Sequence, residues 1–125
     1  MIRVAALFVL ATAIACASSQ TSRSRETGNL ITQDEIVAAN AGNVYEVIQR
    51  LRPQFLRTRG SVSIRDATPP RPVVYVDGMQ YGSLDVLWQF PASRIQTIEY
   101  IPARDATTRW GSGHMGGVIM LTTKS

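Results

Sequence analysis

Pro72-Val-Val-Tyr-Val-Asp77-Gly78, Ile95-Gln-Thr-Ile98-Glu99-Tyr100-Ile101 and Trp110-Gly111-Ser-Gly113-His-Met-Gly116-Gly117-Val-Ile-Met-Leu-Thr-Thr-Lys124 decide the fold of this chain. Each is a β-type run bounded by glycine or proline. Val73–Val76 is apolar on both faces, as a central strand is, and Asp77-Gly78 turns the chain into a short return over Met79–Tyr81. The 95–101 run ends at Pro102, and a brief helical turn over Arg104–Arg109 precedes the last strand, Gly117–Thr123. Before these runs the period is helical. Thr32-Gln-Asp-Glu35 is a capping box for a short helix over 33–39. Asn43 and Glu46 cap a second helix whose apolar residues Val44, Val47, Ile48 and Leu51 fall on one stripe. Pro53 ends it, and Phe55 and Leu56 are placed under the sheet. Val62 and Ile64 alternate with polar neighbours as a half-exposed strand, and Thr68-Pro-Pro-Arg-Pro72 is a stiff link. Ser83–Phe90 reads as a short helix capped by Ser83, with Leu84, Leu87 and Trp88 inward. The expected fold is α+β: a small mixed sheet of about four strands with short flanking helices.

The 125 residues allow one domain. Residues 1–15 read as a signal peptide: Arg3, then an apolar stretch from Val4 to Ala15, too short to span a bilayer. The cleavage region has two readings. Ala13-Ile-Ala-Cys16 resembles a bacterial lipobox, which would leave Cys16 as the lipid-bearing N-terminus. Ala15-Cys-Ala17 also fits ordinary small-x-small cleavage. The lipobox reading is preferred because Cys16 stands directly before a Ser-rich polar segment. Ala17 in place of an aspartate then directs the protein to the outer membrane, with the periplasm as the alternative. Residues 16–29 lack any large aliphatic side chain before Asn29 and read as a disordered tether. Residues 30–125 form the domain. Cys16 is the only cysteine, so the folded part has neither disulfide nor thiolate metal site.

The formal charge is +4. Arg50, Arg52, Arg57 and Arg59 cluster, as a phosphate-binding surface would. An exported chain rarely meets nucleic acid, however, and Glu46 and Asp66 lie nearby. The cluster therefore reads as a solvated face, or as a contact with anionic lipid head groups.

Three chemical motifs are weighed against plainer roles. Gly111-x-Gly113-x-x-Gly116 has the dinucleotide spacing, but that motif must leave a strand and open a helix. Here a helical turn precedes it and a strand follows, so the glycines read as a tight loop. Ser112 and His114 are a nucleophile and a base only if geometry joins them, and a lone loop histidine is ordinarily polar surface. Asp77, Asp85, Glu99 and Asp105 each have a structural reading: Asp77 in its turn, Asp105 capping a helix, and Glu99 between Ile98 and Tyr100, which face the core. No catalytic, metal or cofactor residue is assigned.

Ser63-Ile64-Arg65, Val74-Tyr-Val-Asp77-Gly78, Ile95-Gln-Thr-Ile98-Glu99-Tyr100-Ile101 and Trp110-Gly111 through Gly116-Gly117-Val118-Ile119 to Thr122-Thr123-Lys124 together resemble the plug domain of TonB-dependent outer-membrane receptors. Asp66 departs from the pattern, where a glycine is expected. The resemblance implies the plug fold. With Ser125 read as the end of the chain, no barrel is expected for a plug to close, and the expectation is a stand-alone, non-enzymatic binding or assembly module. It would be tethered at the periplasmic face of the outer membrane, accessory to TonB-dependent uptake. A soluble periplasmic protein for a small ligand is the alternative. The expected partner is an envelope protein or receptor, met through the loop Trp110, Gly111, Ser112, Gly113, His114, Met115, Gly116, Gly117 and the edge Tyr81–Phe90.

Overall fold

The computed structural model describes residues 28–58 and 69–125. The expected signal peptide, Cys16, most of the tether and the strand at Val62–Ile64 lie outside the described residues.

Among the described residues five strands form one sheet: β1 (Leu30–Ile31), β2 (Val73–Val76), β3 (Met79–Gly82), β4 (Ile95–Ile101) and β5 (Val118–Thr123). Their spatial order is β1-β4-β5-β2-β3. Only the central pair β2–β5 is parallel; the other three pairs are antiparallel. The sheet is thus mixed, as expected, and the described residues include one strand, β1, that was not expected. It has two residues, whose partners are Glu99 and Ile98. A two-residue strand carries too little alternation to be legible locally.

The period of two explains why β2 and β5 are apolar throughout. Val74, Val76, Ile119 and Leu121 enter the larger core on one face, together with Val44, Val47, Ile48 and Phe55. Tyr75 and Val118 enter a smaller core on the other, with Ile101 and Ala106. On β4 the period is broken by an irregularity between Ile95 and Thr97. It lets Ile95 and Ile98, three apart, fill the same core.

Three helices cover the faces: α1 (Gln33–Ala39), α2 (Val44–Leu51) and α3 (Ala103–Trp110). Both predicted caps of the first two are made. The Glu35 carboxylate accepts the Thr32 N–H at 2.9 Å, and Asn43 Oδ1 accepts the Glu46 N–H at 3.0 Å. That bond from Thr32, aided by the charge of Arg52, holds Glu35 below the usual carboxylate range. Two of the clustered arginines are structural. Arg52 bridges Glu35 at 3.0 Å, and Arg50 donates to the Ala39 and Asn40 carbonyls at the end of α1. Cations there complement the helix dipole.

Three expectations are corrected. Leu84–Trp88 is a 3₁₀ helix, and Trp88 is 51% exposed rather than inward. With three residues per turn, Leu84 and Leu87 align and Trp88 rotates away; its ring stacks on Tyr45 instead. Ser83 donates its hydroxyl to Asp85 and caps nothing. Nor does Asp105 cap α3, whose N-cap is Pro102; it lies in the first turn.

Candidate functional site: the glycine loop and the sheet end

The loop from α3 into β5 runs in the direction opposite to a dinucleotide cradle, since a helix feeds a strand. Gly111 and Gly117 have φ of 94° and 88°, which favours glycine at both ends of the loop. Between them the eight predicted residues divide. His114, Gly116 and Gly117 are buried, Trp110 is half-buried, and Gly111, Ser112, Gly113 and Met115 face solvent.

His114 is 7% exposed, against the expectation of polar surface. Its Nδ1 lies 3.2 Å from the Gly111 carbonyl and its Nε2 lies 2.9 Å from the Tyr75 hydroxyl. A carbonyl only accepts, so Nδ1 carries a proton, while Nε2 faces the Tyr75 hydroxyl, which can donate or accept and also lies 3.4 Å from Gln80 Oε1. Both ring nitrogens are engaged, neither of them with Ser112. Trp110 lies beside Tyr75, with ring centroids 5.0 Å apart. The inner half of the loop is therefore an aromatic seal over the second face of the sheet. Tyr100 donates to the Gly116 carbonyl, and Val73 N–H donates to that of Gly117, which welds the loop to β2 and β4.

The sheet end near Thr123 holds a second construction. Asp77, with φ of 49°, occupies the left-handed region at the β2–β3 turn. Its carboxylate accepts the Thr123 N–H at 2.9 Å and the Thr123 hydroxyl at 2.6 Å. These bonds, the hydroxyl's first, hold its pKa below the ordinary 3.8. A carboxyl depressed on folding stabilises fully above its unfolded value, and that contribution fades as pH falls through the folded value. Asp77→Asn is accordingly expected to lower the urea midpoint near neutral pH. The deficit should shrink when both proteins are compared below the ordinary carboxylate value. A deficit independent of pH would assign Asp77 to the turn alone.

Among the described residues no helix is long and apolar enough to cross a membrane, and no group of three or more His, Cys, Asp or Glu is arranged to hold a metal ion. The Asp77–Thr123 bond and the Tyr75–His114 bond were both missed in the sequence. The Asp-Gly turn marked only the local half of the first, and nothing local marked the second.

A mixed five-stranded sheet closed by a glycine loop, with a Val-Asp-Gly turn between β2 and the edge strand β3, is the architecture of a receptor plug. The profile of the TonB-dependent receptor plug domain matches residues 18–118, and the chain belongs to that family. Among solved structures it is similar to the siderophore receptor PirA from Pseudomonas aeruginosa, at 26% identity and a TM-score of 0.50. That similarity covers 77% of this chain and 18% of the receptor. No curated protein matches. Plug domains are parts of outer-membrane receptors, which supports an outer-membrane-associated location and an uptake-related module.

Proposed function

We propose that the chain acts as a non-enzymatic binding and assembly module, held by lipidated Cys16 at the periplasmic face of the outer membrane and accessory to TonB-dependent uptake. The observation carrying this is the plug match, which begins two residues beyond Cys16. The matched region would thus follow the anchor closely in sequence. The inward turn of His114, Gly116 and Gly117 supports a binding role in which the solvent-facing Ser112, Gly113 and Met115 meet an envelope receptor.

The test combines mass and location. The mature protein is expected to carry an acylated N-terminal cysteine and to sediment with outer membranes, and Cys16→Ser should release it to the soluble periplasmic fraction. An unacylated N-terminus, or unchanged fractionation of the variant, overturns the anchor. A photo-crosslinker at Met115 should then capture an envelope receptor, whereas one at Gln49, exposed on α2, should not. A soluble ligand-binding role is favoured by one observation, an open cleft at the sheet end.

A further inference from the structure

The β4 entrance and the β5 exit form a cleft of about 540 Å³, whose lining includes Phe90, Pro91, Ser93, Arg94 and Lys124. Its volume lies in the range of small-ligand sites, roughly 300–1,000 Å³. The Lys124 N–H donates to the Arg94 carbonyl at 2.9 Å, so two cationic residues are fixed as direct neighbours across the sheet end. Like charges in that relation are destabilising. Among the described residues no Asp or Glu lines the cleft. Among the described residues the only ion pair is Arg52–Glu35, at another part of the molecule. Asp77, the carboxylate bonded beside Lys124, directs its oxygens to Thr123. The opposite wall is apolar: Phe90 is fixed edge-on by Tyr81 at 5.5 Å, and Pro91 follows it.

We infer that this cleft binds a phosphate group carried on an apolar body. The guanidinium fork of Arg94 and the point charge of Lys124 would take the phosphate oxygens, with Ser93 as a hydroxyl donor and Phe90 and Pro91 covering the apolar part. The pairing of like charges then has a purpose that the fold alone does not supply. The same chemistry is offered by a free phosphate ester and by an anionic phospholipid head group. The site is independent of the proposed anchor, and the test uses the full-length Cys16→Ser chain so that no acyl group contributes.

Binding is measured by titration with glycerol 3-phosphate, and by co-sedimentation with phosphatidylcholine vesicles with and without phosphatidylglycerol. Binding of the soluble ester identifies a free ligand. Binding confined to the phosphatidylglycerol vesicles identifies a lipid head group. In either case Arg94→Gln/Lys124→Gln is expected to weaken binding by roughly tenfold or more, as loss of two charge-assisted contacts does. Arg104→Gln/Arg109→Gln, which removes the same charge from α3, should change it by less than about twofold. All four side chains are exposed, so unchanged thermal melting confirms that the variants fold. The inference is overturned if neither probe binds, if the Arg94/Lys124 variant binds like the parent, or if the α3 variant loses as much.

Discussion

Gly116→Ala is expected to destabilise the domain by about 3 kcal/mol or more, near the upper end of overpacking effects. A Cβ at Gly116 would overlap the Arg71 carbonyl and stand 2.8 Å from Pro72 N. These are backbone atoms at the entrance to β2, where Val73 is already hydrogen-bonded to Gly117, so neither side of the contact can withdraw cheaply. For a domain whose total stability is of order 5–15 kcal/mol, this is a large fraction. It should appear as a melting temperature lower by roughly 12 °C or more. Gly113→Ala supplies the internal control. Nothing lies within 4 Å of its added Cβ and its φ is not positive, so the change should be within about 0.5 kcal/mol. Urea unfolding of the two variants separates a packing glycine from a loop glycine. Equal effects would mean that the loop lifts off β2 freely.

Phe55→Ala is expected to cost about 3–5 kcal/mol, the usual range for emptying an aromatic site in a core. Phe55 is 1% exposed and stacks on Tyr100 at 5.1 Å between ring centroids. Tyr100 in turn donates to the Gly116 carbonyl, so the cavity would lie under the residue that holds the glycine loop. Phe55→Leu should recover more than half of the loss. The checks are urea midpoints with m-values and amide exchange at Gly117. A loss below about 1 kcal/mol for the alanine variant would show that the 3₁₀ turn Pro53–Leu56 collapses into the vacated space.

Much of the fold was legible because its rules are local. Val73–Val76 and Val118–Thr123 alternate between two cores, and a run apolar on both faces marks such a central strand. Thr32/Glu35 and Asn43/Glu46 carry their capping chemistry at three-residue spacing. The ordered set of runs identified the family. What was not legible depends on partners distant in sequence. Leu30–Ile31 becomes a strand only because β4 offers it an edge. His114 is buried because Tyr75, 39 residues earlier, supplies a hydrogen-bond partner for Nε2. Arg94 and Lys124 share a cleft only because β4 and β5 pair in antiparallel register. The division of the glycine loop into buried and solvent-facing residues likewise follows from the approach of Arg71 and Tyr100, which no spacing rule reports.

The position of β5 has a consequence for how the molecule is assembled in time. It lies between β4 and β2, so β1–β4 and β2–β3 make no strand pairing with each other except through it. It is also the last in sequence of the five described strands. A hairpin such as β2–β3 closes within microseconds, but Val73 must wait for Val118, its partner 45 residues later, before the sheet becomes one. During synthesis from the N-terminus, two half-sheets with uncovered edges would therefore precede the native state. Completion would come as a single late event, when residues 118–123 enter the gap.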